Sequence, residues 1–217
     1  LATAPPNTSF PDFKTEEGEQ WLNYFGVDAT PSGMVNRKYI DGISVIPATS
    51  WEEIVVEVFQ DTPIVGMAAQ LNYDKESRVL EADIKIKSIE KITEQCQLTI
   101  CVVEDNIVGS QYTPQGIDSE YVHRNVFRQT INGEWGEELN LGNVNIGDEI
   151  TRSYTVTLND KYNANECYMV AYVSNVTSKE VLQVIQKKIV DDNSEEETTG
   201  TINGREYVDL GLPSGLK

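Results

Sequence analysis

The hydrophobic positions of this chain change their period part-way along it. Over the first sixty residues they follow a helical rhythm. Trp21, Leu22 and Phe25 share one face, and Trp51, Ile54, Val55, Val58 and Phe59 recur at i, i+3, i+4, i+7 and i+8. The first helix carries its own boundaries. Thr15 is placed to cap it, Glu16, Glu17 and Glu19 suit the positive end of its dipole, and Gly26 suits the position just past its end. Ser50 and Glu53 have the spacing of a capping box ahead of the second helix. Between the helices the pattern predicts a turn leading into a short strand over 25–37, a second strand over Ile43–Ile46, and a turn at Pro47–Thr49. From Ile64 the period becomes two. Leu80, Ala82, Ile84 and Ile86 alternate with Glu81, Asp83, Lys85 and Lys87, which predicts an antiparallel strand with one wet face. Val65–Tyr73 precedes it, closed by the turn Asp74-Lys75-Glu76-Ser77. Leu98, Ile100 and Val102 point opposite to Gln97, Thr99 and Cys101, and Tyr154, Val156 and Leu158 opposite to Ser153, Thr155 and Thr157. Cys167–Val173 is apolar on both faces, as a central strand would be, and Val181–Val190 ends the series. Six or seven short strands over ~130 residues predict an antiparallel, Ig-like β-sandwich at 64–190, behind an α/β segment at 1–63.

Charge narrows the function. The chain of 217 residues has 17 basic and 35 acidic side chains, a formal −18. Segments 1–63, 64–190 and 191–217 carry −7, −6 and −5, so no part is basic, and nucleic-acid binding is excluded. No run of apolar residues is long enough for a spanning helix. The three cysteines lack CxxC spacing. Cys96 and Cys101 lie five apart on one strand and so point to opposite faces, which leaves Cys96 the better candidate to reach Cys167. One bridge with a free thiol and three reduced, buried thiols are both open. His123 is the only histidine, so a histidine metal cluster is impossible, and no zinc-type spacing or G-x-S-x-G elbow occurs. Glu104, Asp105, Glu137 and Glu138 are carboxylates of the type that pair in glycoside hydrolysis, but in so acidic a chain such neighbours arise by chance. The expectation is a protein without catalytic residues, cofactor or metal.

Three stretches resemble known families. Helix, proline turn, strand, strand, helix is the order of the second half of a thioredoxin-like fold. Tyr24 to Arg37 resembles that family's approach to its cis-proline strand, with Thr30-Pro31 in the place of the cis peptide. The resemblance implies a cis bond before Pro31. It places the family's redox cysteines on the first half of the fold, outside these residues; a turn residue opening an edge strand is the alternative for Pro31. Farther on come Val103-Glu104-Asp105-Asn106-Ile107, then Tyr121-Val122-His123-Arg124-Asn125-Val126-Phe127-Arg128, then Asn132-Gly133-Glu134-Trp135-Gly136-Glu137. In that order and spacing, over about 64–190, they resemble the 28-kDa outer-membrane protein family of Bacteroidetes, the Omp28-like lipoproteins. That resemblance implies an envelope location and a thioredoxin-like region ahead of the sandwich. The third stretch, Tyr207-Val208-Asp209-Leu210-Gly211-Leu212-Pro213-Ser214-Gly215-Leu216-Lys217, is similar to the opening of the Fibrobacter succinogenes major paralogous domain.

The stretch from Glu104 to Gly142 reads as a long irregular loop and holds the candidate site. His123 is expected as a hydrogen-bonded side chain steadying that loop beside Tyr121, with Arg124 and Arg128 pairing nearby carboxylates. Trp135 has two readings. It plugs the core at a sheet end, which the tight Asn132-Gly133 and Gly136 turns favour, or it is an exposed aromatic platform for a sugar ring or a protein partner. Residues 191–202 have a run of charge and are expected as a solvated linker; 203–217 open a further surface domain whose order should be poor. Since the chain opens at Leu1 and stops within that motif, it is expected to be a fragment of a modular, Gram-negative envelope protein. The expected role is a non-enzymatic outer-membrane or cell-surface protein, lipid-anchored outside this stretch, whose sandwich is a binding or spacer module for a protein or glycan. The alternatives are a thiol–disulfide protein whose redox half lies upstream, and a glycan-capture protein.

Overall fold

The computed structural model describes residues 10–141, 144–190, 199–202 and 205–208. Helix α1 (Glu16–Phe25) forms as its boundary residues dictate: the Thr15 hydroxyl accepts from the Gly18 amide at 3.0 Å, and the chain leaves through Gly26 at φ 64°. Helix α2 (Trp51–Val58) begins differently. A 3₁₀ turn at Ala48–Ser50 runs straight into it, and the Ser50 side chain caps nothing, so the Ser50/Glu53 spacing does not make a capping box. Between the helices β1 (Ser32–Gly33) pairs antiparallel with β2 (Ile46–Pro47). The expected strand at Ile43–Ile46 is reduced to Ile46 and an isolated bridge between Ile40 and Ile43. The Thr30–Pro31 bond is cis.

Ten strands follow: β3 (Val65–Asp74), β4 (Val79–Ser88), β5 (Cys96–Glu104), β6 (Ile107–Thr113), β7 (Gly116–His123), β8 (Val126–Thr130), β9 (Glu137–Leu139), β10 (Glu149–Thr157), β11 (Cys167–Asn175) and β12 (Val181–Lys188). One sheet has the order β10-β4-β3; the other runs β12-β11-β5-β8, with β9 also on β5. All pairs are antiparallel. The surplus over six or seven strands lies between Glu104 and Gly142, where β6 to β9 replace the expected irregular loop. Most of β7 is exposed on both faces, so no period-two signal marks it, yet its backbone is paired.

The core forms between the sheets. Leu80, Ile84 and Ile86 of β4 face Leu98, Ile100 and Val102 of β5 and Met169, Ala171 and Val173 of β11, all nearly or fully buried. The outer face of β4 is wet, as its alternation requires, and Lys85 and Lys87 reach Glu149 across β10 at 3.8 and 3.5 Å. The outer face of the second sheet is dry. Gln97, Thr99, Cys101, Tyr172 and Ser174 are all buried beneath a third layer. In it α1 packs on β8 through Trp21, Arg37 from the segment after it reaches Tyr172 of β11, and the turn at Gly136 closes on Thr99. Beyond the sandwich, β13 (Thr199–Ile202) pairs antiparallel with β14 (Arg205–Val208). Positions 199–202, read from the sequence as the end of the acidic linker, are therefore strand; the rest of that linker and most of the expected further domain lie outside the described residues.

Candidate functional site

The strands β5 and β6 follow one another, as do β7 and β8, and together they make a ribbon that continues the β5–β8 pair past the sandwich. It kinks where Asn106 and Asn125 take the left-handed conformation, at φ 57° and 51°, which asparagine tolerates better than most residues. The kink is tied down: the Asp105 carboxylate accepts from the Asn125 amide at 2.5 Å, and Asn106 donates through Nδ2 to Glu166 at 2.7 Å. Val108, Tyr112, Tyr121 and Val122 are exposed on the ribbon.

The ribbon base collects most of the residues singled out by sequence. The His123 ring lies between Phe13 and Tyr121, at centroid distances of 5.0 and 4.9 Å. Its Nε2 is buried and has no hydrogen-bond partner, so ring contacts hold this side chain, and the expected hydrogen bond is not made at Nε2 among the described residues. Arg128 donates through Nε to Glu104 at 2.7 Å, and its guanidinium sits over Phe13 and Tyr162. The other Glu104 oxygen accepts from the Asn163 amide at 2.9 Å, so this nearly buried carboxylate is paired and hydrogen-bonded on both sides. Arg124 differs from expectation: it is exposed and makes no ion pair among the described residues.

Trp135 belongs to a second cluster, away from the ribbon base. It is neither a core plug nor a free platform; half-buried, it stands in the seam between α1 and the second sheet. Tyr24 and Phe25 pack on it at 4.7 and 6.1 Å, and the Lys179 ammonium lies 4.8 Å from its centroid. Beside it Arg37 is surrounded by Trp21, Phe25, Trp135 and Tyr172 at 5.7, 5.2, 6.0 and 5.0 Å, and donates to the Tyr172 hydroxyl at 2.9 Å. The Trp21 indole donates to the Glu134 carbonyl at 2.9 Å and packs on Phe127. Cation–π contacts of this kind contribute most where water is excluded. Sequence reading missed Arg37, Tyr172 and Lys179 because they lie on separate elements and no period connects them.

The turn carrying Trp135 is anchored to β5. Asn132 accepts from the Ile100 amide at 2.9 Å and donates to the Leu98 carbonyl at 2.8 Å, filling the gap between β8 and β9. Gly136, at φ 74°, lies so close that a Cβ there would sit 2.0 Å from the Leu98 oxygen. Glu137 follows, and hydrogen bonds from the Tyr154 hydroxyl and Arg152 hold its carboxyl below the usual range.

The three thiols are free and buried. Cys96 lies opposite Asn175 and Cys167 opposite Glu104, at the two ends of the β5–β11 pair, so they form no bridge. Burial pushes Cys96 up to about 11, with Glu94 adding to it, and Cys101 and Cys167 up to about 12. A thiol held protonated in this way is a poor nucleophile at neutral pH.

The family description "Outer membrane protein Omp28" matches residues 18–193, which takes in all but the first two residues of α1, the seam, the ribbon and the whole sandwich. The chain belongs to the Omp28 family. Omp28 membership makes it an outer-membrane or cell-surface protein. No helix among the described residues is long and apolar enough to cross a membrane. Among solved structures, a domain of the outer membrane lipoprotein Omp28 from Porphyromonas gingivalis is 22% identical, covering 58% of this chain and 95% of that one, with a TM-score of 0.42. β-Glucosidase 3B from Thermotoga neapolitana in complex with glucose (10% identity, TM-score 0.27) covers 59% of this chain and 16% of the enzyme. A β-glucosidase from Kluyveromyces marxianus (9%, TM-score 0.28) covers 59% and 14%. No activity passes from these enzymes to this Omp28 member. No curated protein matches the chain.

Proposed function

We propose that this Omp28 member is a non-catalytic surface module, held at the membrane by a lipid outside this chain, whose sandwich presents the β6–β7 ribbon to a protein or glycan. The observation that supports this is the ribbon itself. It projects with Val108 at 64% and Tyr112 at 59% exposure, while its base is pinned by the Glu104–Arg128 pair and the Phe13–His123–Tyr121 rings. Apolar and aromatic side chains held out on a rigid support suit recognition better than they suit solvent. The test compares the parent with a variant in which residues 107–123 are replaced by an Asn-Gly turn, on peptide and glycan arrays. Binding by the parent that the variant lacks supports the proposal. Equal binding by both moves the site elsewhere, and no binding by either leaves the sandwich as a spacer.

A second reading is favoured by α2. Val55, Val56 and Phe59 are 50%, 61% and 85% exposed, a face that in a soluble helix packs against something. We infer that residues 1–63 are the C-terminal half of a thioredoxin-like domain whose other half covers this face, followed by the sandwich at 64–190, the linker at 191–202 and a further domain opening at 203–217. Expressing the chain with the residues encoded upstream should raise hydrogen-exchange protection in α2. Unchanged exchange there would sink this reading.

A further inference from the structure

We propose that the seam between Arg37, Lys179 and the outer face of the second sheet binds a small oxyanion, a carboxylate or phosphate group. The floor is laid by strand register. Gln97 stands opposite Ser174 and Thr99 opposite Tyr172 on adjacent strands, so these four side chains emerge side by side on the outer face of β5 and β11. The first two are 3% and 0% exposed, and Thr99 and Tyr172 are also buried. The walls are Arg37, Trp135 and Lys179. Lys179 Nζ lies 3.3 Å from Gln97 Oε1 and over the Trp135 ring, and the Arg37 guanidinium lies over the same ring and over Tyr172.

Two features of this seam point to a negative ligand. Arg37 and Lys179 converge on one indole, yet neither has a carboxylate partner among the described residues, in a chain where acidic side chains outnumber basic ones two to one. Glu138 is the acidic group whose charge reaches Lys179, and burial together with Arg37 acts against the ammonium there. Three donors complete the site. Arg37 Nη1, Gln97 Nε2 and Ser174 Oγ are shielded from solvent and have no hydrogen-bond partner. Leaving such groups unpaired is unfavourable, and a cation without a counter-charge more so. One oxyanion accepting from the guanidinium, the amide and the hydroxyl, with the ammonium beside it, would answer all of these at once, by charge-assisted hydrogen bonds. Lys179 sits on the turn between β11 and β12 and is only partly buried, which places the entrance at its side of the seam. The site does not depend on the ribbon. A ligand here would bridge the N-terminal layer to the sandwich and tighten the hold of one on the other.

The test uses the whole chain and inorganic phosphate, with acetate as the carboxylate arm and sodium chloride at matched ionic strength as the reference. Trp135 lines the site, so indole fluorescence and the thermal midpoint both report binding. Phosphate or acetate should give a saturable response and a raised midpoint that chloride does not. Lys179→Met, which keeps the stem over Trp135, and Ser174→Ala should each weaken the response by about tenfold, while the midpoint of Ser174→Ala without added anion stays close to the parent's because its hydroxyl has no partner to lose. Saturation by phosphate alone assigns a phosphate group; saturation by acetate assigns a carboxylate. The proposal is overturned if neither saturates up to about 50 mM, if Lys179→Met and Ser174→Ala respond like the parent, or if chloride acts equally. A crystal structure grown with phosphate that shows only water against Arg37 Nη1, Gln97 Nε2 and Ser174 Oγ would overturn it as well.

Discussion

Replacing Asn132 by alanine removes one side chain and leaves the Ile100 amide of β5 without a partner. It also takes a second donor from the Leu98 carbonyl, which stays paired with Glu137 in the ladder. Between β8, which pairs as far as Cys101, and β9, which pairs from Leu98, the edge of β5 is bridged by Asn132. Its carboxamide oxygen takes the Ile100 amide and its nitrogen reaches the Leu98 carbonyl, at 2.9 and 2.8 Å. Ile100 and Leu98 are both fully buried, so water is poorly placed to replace the lost bonds. A buried donor left unpaired costs about 1–3 kcal/mol, and with the Leu98 carbonyl still paired that is the loss expected for Asn132→Ala. In a domain of this size each kcal/mol moves the midpoint by about 2–4 °C, so a fall of roughly 2–12 °C is expected. Circular dichroism melting and urea unfolding measure the loss, and amide exchange at Ile100 locates it. Asn132→Asp retains the acceptor for the Ile100 amide but not the donor for Leu98, and a protected Ile100 amide in that variant would separate the two bonds. A loss below about 1 kcal/mol for Asn132→Ala, with the Ile100 amide still protected, would refute the idea that this side chain completes the sheet.

Other substitutions probe neighbouring parts of the seam and the sheet. Gly136→Ala should lose at least about 2–3 kcal/mol in urea unfolding, because the positive φ and the Leu98 carbonyl both exclude a Cβ. Trp135→Ala should lower stability by about 1–3 kcal/mol, less than a full core truncation, and speed proteolysis of the N-terminal layer before that of the sandwich; equal rates for both would count against the seam. Cys96, Cys101 and Cys167 should resist Ellman's reagent at pH 8 in the native chain and react promptly in urea, and fast native labelling would contradict their burial. The folded pKa of Glu137 is lowered, so its contribution is present above the ordinary carboxylate range and is lost as pH falls through the lowered value. Glu137→Gln should therefore flatten the acid limb of stability against pH, and an unchanged limb would argue that Tyr154 and Arg152 do little for it.

Much of the architecture was written locally. Thr15, the acidic first turn and Gly26 bound α1 whatever it packs against, and the alternation of β4 needs only one dry and one wet face. The apolar character of Cys167–Val173 on both faces likewise identified a central strand, since only a strand flanked by two others and covered on both sides tolerates it. The family motifs were also contiguous runs, which is why a sequence match could reach them. Tertiary structure decided the rest, for a common reason: it depends on which face of one element is pressed on another. Gln97, Thr99 and Cys101 have the polarity of a wet face and are buried because Lys179, the Gly136 turn and the N-terminal layer cover that side of β5. Trp135 has the size of a core residue, but its partners Tyr24, Phe25 and Lys179 lie at distant points of the chain. His123 was expected to hydrogen-bond, as a buried polar group usually does; the Phe13 and Tyr121 rings instead enclose it. The ribbon escaped periodicity because most of β7 is exposed on both faces and β6 buries only Ser110, so backbone pairing, which leaves no trace in side-chain pattern, made it a strand pair.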